Sequence, residues 1–425
     1  MRKHLRKVKE TSRYIARLIG PGVITGASDD DPSGIATYAQ TGATFGFGML
    51  WVALFTFPLM AAIQEIAGTI GRVSGKGIGT NLRLHYPRVL LYSTVSLLLI
   101  ANTLNIGADL GAMGEALELL FGIRSTPFVI LLAVLCVILE VFLPYRKYVP
   151  ILRWLVMSLF AYVITAFIVE IPWGEALFAT FIPQITFTKE FLMMLIAVIG
   201  TTISPYLFFW QSAQEVEEIH ATPGERPLIH DLLHEESELR KLRVDTILGM
   251  ALSNIVTFFI ILTTAATLHK NGIGNIQTAA DAAKALEPLA GKFASLLFAA
   301  GIIGTGLLAI PVLAGSAAYG AAEALHLPTG LERRALKAKG FYGVITAATV
   351  IGLFLNFLGI DPIKALIGVA VINGVVSVPL MALLVHMASN KKVMGSLTIH
   401  RGLRWMGWLT TFLVALASIG YFVSF

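Results

Sequence analysis

The sequence predicts an all-α polytopic membrane protein of about eleven transmembrane helices, and three observations predict it. Of the 425 residues, 56% are hydrophobic and only 14% charged, where a water-soluble domain carries about 25% charged residues. Apolar runs recur along the chain at the length needed to cross a bilayer, about 20 residues for about 30 Å of hydrocarbon. Lysine and arginine alternate between the joining segments as membrane insertion requires.

The runs lie at 19–46, 49–71, 89–119, 126–144, 149–171, 191–215, 243–268, 293–323, 341–359, 362–388 and 403–424. The third and eighth exceed bilayer thickness, which implies tilt or extension beyond it. With the N-terminus placed in the cytoplasm, the cytoplasmic segments hold 26 of the 32 Lys and Arg residues. The outer segments hold only Arg124, Lys189, Lys270, Lys284, Lys292 and Lys364. One missed helix would scramble this alternation, so it supports the span count. The net charge of +6 thus reflects orientation in the bilayer and implies no nucleic-acid partner. No obligate protein partner is evident either; the expected partners are the lipid bilayer and the transported ion, in the cell membrane.

Residues 1–18 form a basic arm whose Arg2, Lys3, Arg6, Lys7 and Lys9 face anionic headgroups. The arm is polar through Arg17, and three aspartates interrupt the apolar stretch after it, so it is no cleavable signal. The single cysteine, Cys136, sits in an apolar run as packing or lipid-facing filler and precludes an intrachain disulfide. The longest charged loop, 214–243, contains Glu215, Glu217 and Glu218, then Pro223, Gly224 and Pro227. It reads as a helix end and solvated linker, or as a vestibule that concentrates cations.

Two spans carry breakers with polar residues beside them. The first reads Gly26-Ala27-Ser28-Asp29-Asp30-Asp31-Pro32-Ser33-Gly34, and the sixth Gly200-Thr201-Thr202-Ile203-Ser204-Pro205-Tyr206. Irregular backbone at membrane depth is tolerated only where it is buried in protein or lines a cavity. A lone proline marks only a kink. If spans 1–5 and 6–10 are inverted repeats, however, spans 1 and 6 are equivalent, and matched interrupted helices are the best pointer to a transporter binding site. The domain reading is therefore an arm at 1–18, five-helix repeats at 19–171 and 191–388, and an additional helix at 403–424.

Freed carbonyls at such breaks make an oxygen-lined hole suited to a hard cation, and Asp31 adds charge. An acidic residue in mid-span costs about 2.5–3.5 kcal/mol on insertion scales. Successive helical residues point about 100° apart, so three aspartates cannot all face one ion unless the helix unwinds. Asp31, directly before the proline, is the favoured ligand. Asp29 and Asp30 are supporting polar groups, charges on an access path, or helix caps.

These segments resemble the NRAMP family of divalent-metal transporters, which carries Asp-Pro-Gly-Asn in its first helix and Met-Pro-His in its sixth. The corresponding stretches here are Asp31-Pro32-Ser33-Gly34 and Ser204-Pro205-Tyr206. Further matching stretches are Gln64, Leu119-Leu120-Phe121-Gly122 and Leu286-Glu287-Pro288-Leu289-Ala290-Gly291. The resemblance implies two inverted five-helix repeats, as in amino-acid/cation symporters, with broken helices 1 and 6. It puts the family's ion-binding aspartate at Asp31, its asparagine ligand at Gly34, its methionine ligand at Ser204, and its two sixth-helix histidines at Tyr206 and Gln211. Of the two third-helix acids associated with a proton path, it puts one at Ile106 and one at Asp109. The altered site is similar to that of the NRAMP-related magnesium transporters.

The departures imply chemistry. Thioethers favour soft transition metals, whereas Mg²⁺ prefers oxygen. Losing both amide and thioether widens the site for a partly hydrated ion, since Mg²⁺ dehydrates reluctantly. Losing the histidines removes groups that titrate near neutral pH, which implies weak or absent proton coupling. The candidate ion site is Asp31, Ser204, Ser28, Gly34 and Thr201, with Asp30, Asp109, Tyr206, Gln211 and Asn373 along the cavity or path. Gln211, two turns after Ser204, lines an inner vestibule, and Tyr206 is a path residue or an interhelical packing aromatic. Gln64, Asn102, Asn105, Glu140, Asn254 and Asn356 are expected to hydrogen-bond between helices, at about 0.6 kcal/mol each.

The expected function is alternating-access transport of Mg²⁺, and also Mn²⁺, as cargo, with no resident cofactor. A proton-coupled Mn²⁺ or transition-metal importer, with Asp109 as proton acceptor, is the nearest alternative. An amino-acid/sodium symporter on the same fold is the next. An enzyme is disfavoured: the sequence has no His-Glu-x-x-His motif, and its histidines sit mostly in loops or near span ends.

Overall fold

The computed structural model describes residues 21–143, 156–222, 224–331 and 333–424. The basic arm at 1–18 and the beginnings of the first and fifth expected spans lie outside the described residues.

Among the described residues the architecture is all-helical. In chain order the helices are α1 (Pro21–Asp29), α2 (Pro32–Phe45), α3 (Leu50–Ser74), α4 (Ile78–His85), α5 (Arg88–Phe121), α6 (Ser125–Phe142), α7 (Phe160–Ile168), α8 (Trp173–Phe181), α9 (Lys189–Thr202) and α10 (Pro205–Ala221). They continue as α11 (Glu235–Thr267), α12 (Ala279–Ala283), α13 (Glu287–Ala290), α14 (Ala294–Ala324), α15 (Lys339–Leu355), α16 (Pro362–Ala388), α17 (Lys391–Met394) and α18 (Arg401–Val423). Each of the eleven expected spans contains helix. The first is split into α1 and α2, the sixth into α9 and α10. Nine stretches of the described residues are long and apolar enough to cross a membrane.

Helix ends follow local chemistry. Asp361 caps α16 by accepting the Lys364 N–H, with Pro362 in the first turn, where its missing N–H costs nothing. Thr188 caps α9 by accepting from Phe191 N. Gly75 (φ 64°) and Gly122 (φ 68°) end α3 and α5 in the left-handed conformation. Helix α5 has 34 residues, about 51 Å at 1.5 Å per residue, so it outruns the hydrocarbon as its sequence length implied.

Burial follows membrane rules. Helix α18 buries Gly407, Thr410, Thr411 and Ser418, while Trp405, Phe412, Leu416, Ile419 and Phe422 stand exposed. Small and polar residues let helices approach, and large apolar side chains face lipid. Helix α1 rests on α11 through Gly22 and Gly26, where an added Cβ would strike the backbone of Thr246 and Gly249. Helix α9 rests on α16 through Gly200, whose added Cβ would strike Ala370 and Gly374.

Two expectations change. In the segment 214–243 the expected helix end is there, with α10 continuing to Ala221, but the linker is shorter than expected: α11 begins at Glu235, and Glu215 is buried. Charged residues there extend spanning helices beyond the apolar stretch and pair with each other, so a hydropathy boundary falls short of the helix end. The asparagines behave as expected: Asn102 donates to Leu313 O, Asn254 to Ala53 O and Asn356 to Gly107 O. Gln64 and Glu140 do not, because their buried polar atoms have no hydrogen-bond partner among the described residues. Cys136 is buried and free.

Candidate functional site

The two breaks face each other. Between α1 and α2, Asp31 is extended (φ −71°, ψ 171°) and Pro32 opens the next half-helix. Between α9 and α10, Ser204 is extended (φ −81°, ψ 136°) and Pro205 does the same. At each break the positive end of one half-helix meets the carbonyl end of the other. The Tyr206 hydroxyl donates to Ser28 O at 3.1 Å and joins them. Ser316 Oγ donates to Tyr206 O at 2.8 Å and anchors the second break to α14.

Asp31 holds the centre. Its Oδ1 accepts from Ser33 Oγ and from Gly34 N, both at 2.7 Å. Its Oδ2 accepts from Asn105 Nδ2 at 2.9 Å. The same Asn105 amide donates to Asp109 Oδ2 at 3.0 Å and accepts from Asn373 Nδ2 at 3.0 Å. Asn105 thereby joins the first span to two carboxylates and to α16. The expected helical pairing of polar side chains had covered Asn105, but not this bridge. Its spacing of four residues from Asp109 was the available signal.

The three aspartates diverge, as helical geometry demands. Asp29 Oδ2 and Asp30 Oδ1 lie 2.6 and 3.1 Å from Ser253 Oγ on α11, while Asp31 turns to α5. Ser253 carried no sequence signal, because a serine inside an apolar helix looks like any small interhelical residue. Ser204 Oγ donates back to Gly200 O (2.6 Å) and Thr201 O (2.9 Å). Gln211 is placed toward the basic side: it accepts from Thr25 Oγ1 at 2.5 Å and donates to Glu215 Oε1 at 3.3 Å.

Gly34 points into this group. A Cβ there would stand 3.0 Å from Thr201 Oγ1, 3.2 Å from the Tyr38 ring and 3.5 Å from Asp31 Oδ1. The expected roominess is absent in this conformation, because Thr201 and Tyr38 close in on the space a side chain would occupy. Asp29, Asp30, Asp31, Asp109, Thr201, Ser204, Tyr206, Gln211 and Asn373 are all at most 3% exposed. The centre is therefore closed on both sides. On the basic side, Arg72 pairs with Glu238 and Glu225, Lys241 with Glu218 (2.9 Å), Arg243 with Glu65 (2.7 Å), and Asp245 accepts from Gly22 N. On the opposite side, Gln40 and Thr44 donate to Gly274 O, and the His269 ring bonds Ala43 O.

Chemically, the arrangement offers one central carboxylate with amide, hydroxyl and carbonyl oxygens around it. Among the described residues, no three His, Cys, Asp or Glu side chains assemble in metal-holding geometry.

The family model for "Natural resistance-associated macrophage protein-like" (Nramp) proteins matches residues 22–424. The chain belongs to the Nramp family. It is 26% identical over 416 residues to the divalent metal cation transporter MntH of Klebsiella pneumoniae subsp. pneumoniae, covering 95% of this chain and 94% of that one. It is 25% identical to the MntH of Pectobacterium carotovorum subsp. carotovorum, over 96% and 95% of the two chains. The Eremococcus coleocola manganese transporter shares the fold at a TM-score of 0.74 and 18% identity, over 96% of this chain and 87% of that one. Mhp1, a nucleobase-cation-symport-1 family transporter, does so at 0.62 and 14%, over 96% and 90%. The protein is thus a multi-pass Nramp-type divalent metal cation transporter with the symporter-like fold the family resemblance implied, and not an enzyme. Membership in the Nramp family displaces the amino-acid/sodium reading, and the relatives' names give no support to a magnesium branch.

Proposed function

We propose that this protein moves hard divalent cations, Mn²⁺ and Mg²⁺, by alternating access around Asp31, with its basic side in the cytoplasm. The observation that carries this reading is the donor set: Asp31, Ser204, Thr201 and the Ser28 carbonyl, grouped around the side-chain-free Gly34, offer oxygen and neither sulfur nor imidazole. Oxygen sites suit Mg²⁺ and Mn²⁺ alike. The relatives' names support Mn²⁺; the site chemistry alone supports Mg²⁺. The two halves that alternate are the repeats at 19–171 and 191–388, and the helix at 403–424 lies outside them.

One observation favours proton coupling despite the missing histidines. Asn105 bridges Asp31 to Asp109, so a cation arriving at the first carboxylate acts on the second. The Mn²⁺ importer coupled through Asp109 is therefore preferred to uncoupled Mg²⁺ flow.

The test is uptake into proteoliposomes of the purified protein, comparing Mn²⁺, Mg²⁺ and Ca²⁺ with internal pH recorded. Mn²⁺ uptake with acidification and competition by Mg²⁺ is expected. Uptake of Mn²⁺ with no Mg²⁺ competition removes the hard-ion reading. Uptake at constant internal pH removes the coupling.

A further inference from the structure

We propose that Glu140 is a proton-holding group of the transport path, lying beyond Asp109 toward the basic side and changing its protonation when a cation occupies the site. The relay role rests on the proton-coupled reading above; the proton-holding role does not.

Helix α6 buries one face: Val129, Leu132, Ala133, Cys136 and Glu140. That face packs against α5 and α15. Glu140 is 4% exposed, and neither of its carboxyl oxygens has a hydrogen-bond partner among the described residues. The other buried acids of the core, Asp29, Asp30, Asp31 and Asp109, each have one. A glutamine or leucine would pack there at lower cost, since a mid-span acid costs about 2.5–3.5 kcal/mol to insert. An unpartnered buried carboxylate is costlier still than the neutral acid, so the group rests with its proton on.

The register places Glu140 relative to Asp109. Gly114 on α5 abuts Val129 on the antiparallel α6. Cys136 is then level with residue 107 and Glu140 with residue 103, about 9 Å from Asp109 along the axis at 1.5 Å per residue. Cys136 lies between these two levels, on the same buried face of α6 as Glu140. From Gly340 to Leu355, α15 carries one titratable side chain, Tyr342, whose hydroxyl donates to Leu331 O and Arg333 O. On α14, Tyr319 and Glu323 are engaged at the basic end by Glu217 and Thr80 N. On α5, Arg88, Tyr92, Glu115 and Glu118 lie eleven or more residues from the level of residue 103, so the titratable groups around Glu140 on these helices are Cys136 and Asp109.

The step balances simply. When a cation occupies the site, Glu140 gives its proton to water on the basic side and remains a carboxylate while the cation is bound. After the cation leaves, Asp109 gives its proton to Glu140, which becomes the neutral acid again, and Asp109 takes a proton from water on the opposite side. No oxidant, reductant or covalent bond is involved.

The experiment compares wild type, Glu140→Gln and Glu140→Asp in proteoliposomes, using Mn²⁺ uptake, internal pH and infrared difference spectra with and without Mn²⁺. In wild type, Mn²⁺ is expected to change a buried carboxylic-acid band. Glu140→Gln should lose that band and the acidification while Mn²⁺ uptake persists, and Glu140→Asp should restore both. A band that survives undiminished in Glu140→Gln overturns the proposal, as does unchanged acidification per Mn²⁺. If wild type itself does not acidify but the Glu140-dependent band is present, the coupled reading fails and Glu140 remains a proton-holding group. If Glu140→Gln does not fold, the Glu140→Asp spectrum decides: the carboxylic-acid band must shift from its wild-type position, and an unshifted band overturns the assignment.

Discussion

The two breaks share a backbone and differ in chemistry. Each has an extended residue, a proline opening the second half-helix, and a glycine seating the first half on a neighbour. At the first break Asp31 caps forward, accepting from Gly34 N, and reaches across to Asn105 on α5. At the second, Ser204 makes no forward cap and turns its hydroxyl back to Gly200 O and Thr201 O. One break carries charge and ties three helices together; the other contributes neutral oxygen. Attraction for a cation therefore comes from the first break, and the second sets which oxygen-preferring ion fits beside it.

Removing the charge should produce the largest effect. Asp31→Ala takes away the central carboxylate, and losing one partner of a buried charge pair costs about 3–5 kcal/mol, or about two to four orders of magnitude in ion affinity. The lost helix cap costs only about 1 kcal/mol, so the variant should still fold. Mn²⁺ uptake at background level, with an unchanged size-exclusion profile, is expected. Transport that survives would move the site elsewhere. Ser204→Ala should cost only about 1 kcal/mol, the net value of one hydroxyl interaction; a loss as large as that of Asp31→Ala would erase the contrast.

Next comes selectivity. Gly34→Asn with Ser204→Met adds an amide and a thioether, and sulfur favours softer ions. Competition assays should then show Cd²⁺ displacing Mn²⁺ more strongly than in wild type and Mg²⁺ displacing it less. The space beside Gly34 is tight, with Thr201 Oγ1 3.0 Å from an added Cβ, so Thr201→Ala should improve uptake by this double variant. Unchanged competition would show that these two positions do not set preference.

Much of this contrast was legible in the sequence, for identifiable reasons. A charge beside a proline inside an apolar run is costly enough to stand out, and its counterpart at Pro205 lies at the matching place in the second half. What stayed hidden depends on partners that only packing supplies. Asn105 looked like any interhelical amide until it bridged Asp31 to Asp109, and Ser253 gave no sign that it faces two aspartates. The tightness around Gly34 was equally hidden, since a missing side chain reads as space until Thr201 and Tyr38 fill it. At the basic end, hydropathy cut α10 and α11 short because Glu215, Glu218 and Lys241 continue the helices with charged residues.

The smallest expected effect tests whether the two breaks move as a unit. Tyr206 OH donates to Ser28 O, a direct hydrogen bond between them. Tyr206→Phe keeps the ring, which is buried, and deletes that bond, worth about 0.6 kcal/mol between membrane helices. If the bond only adds stability in the closed conformation, its loss makes opening easier by about threefold, the same energy read as a ratio. Mn²⁺ affinity should hardly change, because the Ser28 carbonyl keeps its place on α1, while maximal uptake should rise modestly. A fall in affinity with no change in maximal rate would instead mean that Tyr206 holds Ser28 O in ligand position, which would make the second break a positioning device for the first.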